Sequence, residues 1–569
     1  MRLLWLNINS SYSHSSLALP YIHSQSVRTE NSIVQNSNST DWFVLDGVIN
    51  SDPGILASEA VSFKPDIITS TVWVFNHDMQ VKVLSRIKAL VPEVIIILGG
   101  PEFLGDNEQW LRTNRFANLV LRGEGEEVFP RWLDLWHLPD KWETLPGLCF
   151  IRPDGSYHDG GRAVVKDFAA LSPPESSDFF DFSKPFVQFE TSRGCFNTCG
   201  FCVSGIKDPV RNTAIEIVSD RLISIRSRGI KEIRILDRTF NSNPVRACSL
   251  LKLFREEFPD IRFHIEVHPG LITDELKQAI KDAPVGNLHI EAGIQSLRAD
   301  VLEKSGRKGD LKLCLDGLSF LGQQDNVETH ADLIAGLPGY KLQELYEDIY
   351  TLASFGVAEI QLELLKVLPG TIMREKAKDL ELVYSPYPPY EVLKTDSISP
   401  DELQVARKYS KILDMFYNTK TFRNITTSLF LESPNSLLLL LKYLDTKNIF
   451  DKPVSIELRG RLLYGFCKAY FPDLCTNVTL AWIKAGLSIH KEPGGMIKIH
   501  KGNLPEDIPN GKDTKWFVLR DGSRLWYIGY NRAFKLSEPV HIIEKPCMSD
   551  NNNKQCLNPT SPDFDEGIR

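Results

Sequence analysis

Short apolar runs alternate with amphipathic stretches over the first 137 residues. Runs at 3–7, 42–45, 66–72, 94–98 and 118–121 are strand-length and bounded by turn residues. Between them the period lengthens, as at 81–90, where Val81, Leu84, Ile87, Lys88 and Val91 are spaced for one buried helix face. Alternation of this kind predicts an α/β fold, a Rossmann-like doubly wound parallel sheet over 1–137 with ligands at the carboxyl ends of its strands. Residues 138–184, with Ser172-Pro173-Pro174-Glu175-Ser176-Ser177-Asp178, read as a linker or covering segment.

A second alternating series follows at 186–191, 232–236, 262–267, 287–292, 327–334 and 359–365. Six β/α units predict a (β/α)6 partial TIM barrel over 185–382, with its chemistry at the strand C-termini. Past Glu381 the pattern turns to helical segments over 399–444, then to aromatic strand-like pieces at 515–519 and 524–528. That predicts a mainly helical α+β domain over 383–548. The polar stretch from Ser549 predicts a disordered tail over 549–569.

Charge narrows the function classes. With 65 basic against 73 acidic residues and a net charge of −8, nothing suggests an electrostatic grip on nucleic acid. The start, Met1-Arg2-Leu3-Leu4-Trp5-Leu6, reads as a first strand rather than a secretory signal, and the leucine run at 437–441 is far short of the roughly 20 residues that span a bilayer. A cytoplasmic protein with neither membrane nor nucleic-acid partner is expected. Of ten cysteines, Cys149, Cys248, Cys314, Cys467, Cys475, Cys547 and Cys556 are scattered and are expected to be buried small hydrophobes or inert thiols.

The other three stand together, directly after the first strand of the second series: Glu190-Thr191-Ser192-Arg193-Gly194-Cys195-Phe196-Asn197-Thr198-Cys199-Gly200-Phe201-Cys202. Three thiols on one loop at the catalytic end of a strand can converge on one metal centre. A structural zinc site takes four ligands, and no fourth Cys or His sits at finger-like spacing. Three suit a [4Fe-4S] cluster with one iron left open to a ligand. Zinc, and a chance grouping of thiols, stay open as alternatives at this point.

These residues resemble the CxxxCxxC signature of the radical S-adenosylmethionine (SAM) superfamily, with Phe201 as the aromatic residue before the last cysteine. The resemblance implies that Cys195, Cys199 and Cys202 hold the cluster. It continues down the barrel through Ile235-Leu236-Asp237-Arg238-Thr239-Phe240-Asn241, His264-Ile265-Glu266-Val267, His289-Ile290-Glu291-Ala292-Gly293-Ile294-Gln295-Ser296 and Asp332-Leu333-Ile334-Ala335-Gly336-Leu337-Pro338-Gly339. By that resemblance Phe201, Asp237, Glu266, Glu291, Gln295, Ser296 and Gly336 are SAM-binding. Each acid is also open to the plainer reading of a strand-end or cap residue.

With the barrel so read, the front domain resembles the cobalamin-binding branch of the superfamily, through Pro65-Asp66-Ile67-Ile68-Thr69-Ser70 and the turns Gly99-Gly100-Pro101-Glu102 and Gly123-Glu124-Gly125-Glu126. Cobalamin contacts are expected from His14, Ser70, Thr71, Trp73, Gly99, Gly100, Pro101, Glu102, Gly123, Glu124 and Glu126. The DxHxxG motif that supplies a histidine beneath cobalt is absent, which leaves His14 and His77 as the available imidazoles. Val72-Trp73-Val74-Phe75 can form an apolar floor.

The resemblance implies a [4Fe-4S] cluster, SAM and cobalamin as cofactors, a small-molecule substrate, and a reducing partner such as flavodoxin or ferredoxin. The implied reaction is radical cleavage of SAM followed by methylation of an unactivated carbon. The rival within the same branch is a non-methylating rearrangement or oxidation. A cluster-only electron carrier is disfavoured, because a carrier needs neither the barrel-end acids nor a second cofactor domain. The protein supplies binding and positioning, while the cofactors supply the hard chemistry.

Overall fold

In a computed structural model of the chain, residues 1–11, 14–32, 40–206, 208–499, 504–509, 514–521, 524–531 and 539–546 are described. The segment expected to be a tail, 549–569, and the thiols Cys547 and Cys556 lie outside them.

The first sheet is built from β1 (Arg2–Asn9), β2 (Asp41–Val48), β3 (Ile67–Thr71), β4 (Ile95–Gly99) and β5 (Leu119–Leu121), with helices α1 (Ala18–Ser32), α2 (Pro53–Ser62), α3 (His77–Leu90), α4 (Glu108–Thr113) and α5 (Val128–Leu135) interleaved. The five strands are parallel in the order 2-1-3-4-5. Alternate residues face opposite helical layers, as a pleated strand requires. Leu4, Leu6, Ile68 and Ile96 pack with Leu56 of α2 and Val83, Leu84 and Ile87 of α3. Leu3, Trp5, Ile67 and Ile97 pack with Leu19 and Ile22 of α1 and Phe129 and Trp132 of α5. On α3 the buried stripe is Met79, Val83, Leu84 and Ile87, and Val81 and Val91 only flank it.

Residues 138–184 do more than link. Leu148, Cys149 and Phe150 are buried, and their segment adds β6 (Leu148–Ile151) and β7 (Tyr157–Asp159) antiparallel to the β5 edge.

The second sheet has β8 (Val187–Phe189), β11 (Glu232–Ile235), β12 (Arg262–Val267), β13 (Leu288–Gln295), β14 (Glu328–Ala335) and β15 (Glu359–Leu364), all parallel and in sequence order. It is open rather than closed into a barrel. Helices α6 (Ile215–Ser227), α7 (Pro244–Glu257), α8 (Asp274–Lys281), α9 (Ala299–Lys304), α10 (Leu311–Gly322) and α11 (Leu342–Phe355) separate the strands, and a ribbon of β9 (Ser192–Arg193) and β10 (Arg211–Asn212) lies beyond β8. Ile233, Phe263, Ile265, Leu288, Ile290 and Ala331 are buried on alternate positions. The positions between them carry Arg234, His264, Glu266, His289, Glu291, His330 and Asp332, so one face of the sheet is unusually ionisable.

The first compact unit runs from Met1 to Asp414 and includes α12 (Ile372–Glu375), the hairpin β16 (Val383–Tyr384) and β17 (Val392–Lys394), and α13 (Pro400–Ile412). Ser399 and Glu402 close a capping box at the start of α13. The second unit, Met415–Arg569, holds α14 (Arg423–Glu432), α15 (Ser436–Asp445), α16 (Ile456–Tyr470) and α17 (Cys475–Lys484), then an antiparallel sheet β18 (Ile497–Ile499), β19 (Thr514–Asp521), β20 (Arg524–Asn531) and β21 (Pro539–Pro546). Trp482 and Ile483 of α17 share a core with Phe517, Leu519, Ile528 and Tyr530 of that sheet. Among the described residues no helix is long and apolar enough to cross a membrane.

Candidate functional site

The cysteine loop leaves β8 and returns through β10, and its ends are tied at the ribbon where Arg211 pairs with Arg193 and Asn212 with Ser192. Gly194 takes φ 94°, where a Cβ would meet the Pro209 carbonyl at 2.5 Å. The loop is then sewn to the segment after α9. Gly200 N donates to Ser305 O at 2.8 Å, Thr198 Oγ1 to Gly306 O at 3.2 Å, and Asn197 Nδ2 to Lys308 O at 3.0 Å. Lys308 N donates back to Asn197 Oδ1 at 3.0 Å.

Cys195, Cys199 and Cys202 share one electrostatic neighbourhood. Burial pushes the Cys199 thiol up, the Arg307 guanidinium pulls it down, and the other two sulfurs push it up again, with a net rise. Arg307 donates to Cys199 Sγ at 3.4 Å and also to the Gly293 carbonyl. Ser204 N donates to Cys202 Sγ at 3.4 Å, and Cys195 Sγ lies 3.7 Å from Thr239 Oγ1. Among the described residues no three His, Cys, Asp or Glu close around a single ion. The loop's donor set is three thiols, the set that suits a cluster, which is wider than one ion. Arg307 is not among the residues expected from sequence; its only signal there is the basic, glycine-flanked Gly306-Arg307-Lys308-Gly309.

The residues expected around SAM divide into two groups. Glu266, Glu291 and Gln295 stay on the ionisable face. Glu266 and Glu291 are register partners, and Glu291 Oε2 meets His264 Nε2 at 3.0 Å. Asp332 Oδ1 faces His330 Nε2 at 3.1 Å. Burial first, then the Glu291 charge, push Glu266 up to about 8 against the pull of Arg238. Gln295 sits at φ 76° beside a register shift in β13, a left-handed backbone rare for a side chain of this kind. Phe201 is half-buried beside the last thiol.

Asp237, Ser296 and Gly336 are placed otherwise. Asp237, expected at the methionine end of the cofactor, is buried with its oxygens taken by Thr191 N at 2.7 Å, Thr191 Oγ1 at 2.5 Å and Ser192 N at 2.9 Å, so it anchors the cysteine loop. Ser296 is fully buried against Asp348, which also receives Tyr340 Oη at 2.5 Å and Arg298 Nε at 2.9 Å. Gly336, at φ 86°, leaves room for no Cβ, because Val392 Cγ1 is 2.5 Å from that position.

At the carboxyl ends of β3, β4 and β5, beside the 1-3 switch of strand order, lies a cavity of about 220 Å³. Ser70, Thr71, Trp73, Gly99, Gly100, Pro101, Gly123, Glu124 and Glu126 line it, joined by Trp5, Ile22, Leu121 and Phe129. The Trp73 ring lies parallel to that of Phe75, with centroids 6.3 Å apart and planes at 15°. At Gly99 an added Cβ would make only an ordinary contact, with the Leu121 carbonyl at 3.9 Å. Gly100 is glycine for another reason: at φ 108° its Cβ would lie 2.6 Å from the Val72 carbonyl. The remaining expected contacts lie elsewhere. Glu102 is buried against the Tyr390 hydroxyl, and His14 lines a neighbouring polar cavity with its Nδ1 2.7 Å from Ser11 Oγ. His77 accepts from Trp110 Nε1 at 3.1 Å, and among the described residues no imidazole lines the cavity.

The cavity rim and the cysteine loop are joined directly. Arg193 Nη1 lies 2.7 Å from Glu126 Oε1, and Arg211 takes Glu124 through both carboxylate oxygens at 2.7 and 2.8 Å. Burial would raise the Glu124 carboxyl, but Arg211, Arg193 and the Val165 amide together hold it below the usual range.

Comparison with known proteins bears on this arrangement. Residues 189–351 match the model described as the Radical SAM superfamily, and residues 378–479 match one described as a protein of unknown function (DUF4080). An uncharacterized methyltransferase of Pyrococcus horikoshii is 25% identical over 325 residues, 55% of this chain and 70% of that one. The cobalamin-dependent radical SAM methyltransferase TokK of Streptomyces tokunonensis is 24% identical over 348 residues, 55% of this chain but only 49% of its own length. Among solved structures, the cobalamin-dependent SAM radical enzyme OxsB has a TM-score of 0.61 at 15% identity, covering 86% of this chain and 82% of that one. The radical SAM methyltransferase TsrM of Kitasatospora setae has 0.53 at 17%, covering 68% and 77%. Residues 189–351 of this chain are therefore a radical SAM domain, set in a fold shared with OxsB and TsrM.

Proposed function

We propose that this chain is a cobalamin-dependent radical SAM methyltransferase acting on an unactivated carbon of a small molecule, with electrons from a flavodoxin- or ferredoxin-like reductant. The observation that carries this reading is the junction of two sites: a three-thiol loop at the end of β8, fastened by Arg193 and Arg211 to the glycine- and acid-rimmed cavity of the first sheet. When bound, the cluster with SAM would supply one-electron cleavage of a carbon–sulfur bond, and the corrinoid a transferable methyl group.

The chain's own residues do the rest. Cys195, Cys199 and Cys202 hold the cluster, and Arg307 places positive charge beside Cys199. Glu266, Glu291 and Gln295 offer polar contacts on the adjoining sheet face to the SAM ribose and amine. Trp73, which lines the cavity, would offer an aromatic face to the corrinoid. TokK, named a cobalamin-dependent radical SAM methyltransferase, and TsrM, a radical SAM methyltransferase solved with cobalamin and a [4Fe-4S] cluster bound, support the reaction class.

The deciding experiment is anaerobic reconstitution with iron, sulfide and hydroxocobalamin, followed by SAM and dithionite. Formation of 5′-deoxyadenosine with S-adenosylhomocysteine is expected. Deoxyadenosine without any S-adenosylhomocysteine would favour the non-methylating rival, and absence of both in protein with a full cluster would overturn the proposal.

A further inference from the structure

The ion pairs between the cysteine loop and the first sheet occupy a revealing position. Arg193 is two residues before Cys195 and Arg211 is nine after Cys202, so the two flank the loop at its neck, paired across the β9–β10 ribbon. Each reaches a carboxylate of the same turn: Arg193 meets Glu126 at 2.7 Å, and Arg211 meets Glu124 bidentately. Glu124 and Glu126 line the cavity. Arg193 is also held by Glu190 at 2.8 Å and lies between the rings of Tyr21 and Phe168, at 4.9 and 4.7 Å. Side-chain exposure of all four paired residues is 16% or less, so water screens these pairs weakly. Glu124 further receives the Val165 amide at 2.6 Å, which ties in the strand-edge segment behind the rim.

We propose that Arg193 and Arg211 are positioning residues that couple loading of the two cofactor sites, an inference that rests on the proposed function. The physical reason is shared ordering. A cluster gripped by Cys195, Cys199 and Cys202 fixes the neck of the loop, the neck fixes two arginine forks, and the forks fix the turn that forms the corrinoid rim. A second cofactor then orders a segment already ordered by the first and binds more tightly. Linkage makes the effect reciprocal. Neither arginine touches a reacting atom in this scheme. Stability alone would explain the pairs if one cofactor left the other's affinity unchanged.

The experiment compares hydroxocobalamin affinity of iron-free and cluster-reconstituted protein, by absorbance titration under argon. Wild type is expected to bind the corrinoid about tenfold more tightly once the cluster is in place, within the usual range of coupling. Arg211→Gln and the milder Arg193→Lys should bring that ratio below about threefold at unchanged iron content and far-ultraviolet dichroism. In wild type, adding corrinoid to iron-free protein should also slow amide exchange at 192–194 and 211–213. A wild-type ratio of one, or full coupling retained in both variants, overturns the inference while leaving the proposed function standing. No corrinoid binding in either form of wild type overturns both. If Arg211→Gln fails to fold, the wild-type ratio and the exchange measurement still decide.

Discussion

Asp237 accepts two hydrogen bonds from Thr191, from its amide at 2.7 Å and from its hydroxyl at 2.5 Å, and so fixes the strand end from which the cysteine loop departs. Both oxygens of this buried acid are engaged, Oδ1 by two backbone amides and Oδ2 by a hydroxyl, so its geometry serves the loop. Replacing it by Ala leaves the two buried amides and the hydroxyl without their acceptor and should cost about 1–3 kcal/mol in the first unit. Asp237→Ala is therefore expected to lose iron during desalting while the fraction that keeps its cluster binds SAM normally. A variant with full iron content and weakened SAM affinity would return Asp237 to the ligand.

Two adjacent glycines of the cavity rim make opposite predictions. Gly99 has room for a Cβ, which would make only an ordinary contact with the Leu121 carbonyl at 3.9 Å, whereas Gly100 would drive one into the Val72 carbonyl at 2.6 Å. Gly99→Ala should leave thermal stability nearly unchanged and weaken hydroxocobalamin binding, because the methyl group enters the ligand's space. Gly100→Ala forces a positive-φ glycine position and should destabilise by more than about 1 kcal/mol. Calorimetry and corrinoid titration on the pair check both; equal corrinoid affinity in Gly99→Ala and wild type would remove Gly99 from the site.

Much of this was legible in the chain because apolar period reports burial directly. The five strands of the first sheet and the six of the second lie within a few residues of their expected ranges, since each is a short apolar run bounded by turns. Cys195, Cys199 and Cys202 were legible because their spacing coincides with a strand end. The direction of single polar residues was not. Asp237, Ser296 and Glu102 share strand-end sequence contexts with ligand-facing acids, yet their partners, Thr191, Asp348 and Tyr390, come from other elements. The same holds for Arg193 and Arg211, which sequence leaves as ordinary loop arginines until the fold brings Glu124 and Glu126 beside them.

Glu266 gives the pH prediction. Burial and the neighbouring Glu291 charge raise its carboxyl from 4.5 to about 8, with Asp332 and Asp237 adding to the rise and Arg238 opposing it. Between those values the folded chain holds a proton that the unfolded chain releases, so its contribution to stability is fully present at low pH and is lost as pH rises toward 8. Relative to Glu266→Gln, wild type should lose up to about 1.4 kcal/mol per pH unit across that window. Denaturation at pH 5.5, 6.5 and 7.5 checks the slope. Difference infrared spectra should show a protonated carboxyl at pH 7 that the Gln variant lacks. A pH-independent stability difference would place Glu266 among ordinary ionised carboxylates.

Arg307 yields the last prediction, through charge rather than shape. Its guanidinium donates to Cys199 Sγ at 3.4 Å while a second nitrogen is held by the Gly293 carbonyl, so the cation is fixed beside one corner of the thiol set. Reduction of a cluster adds negative charge, and a hydrogen-bonding cation at a ligating sulfur stabilises the reduced form. Arg307→Gln should therefore lower the midpoint potential, by about 60 mV for a tenfold change in a one-electron equilibrium. Arg307→Lys, which keeps the charge but loses the fork, should recover part of the shift. An electron paramagnetic resonance redox titration of the reconstituted variants reads this without any substrate. An unchanged potential in Arg307→Gln with intact iron content would mean that the guanidinium turns from the sulfur once the cluster is in place, and would confine Arg307 to bracing the turn at Gly293.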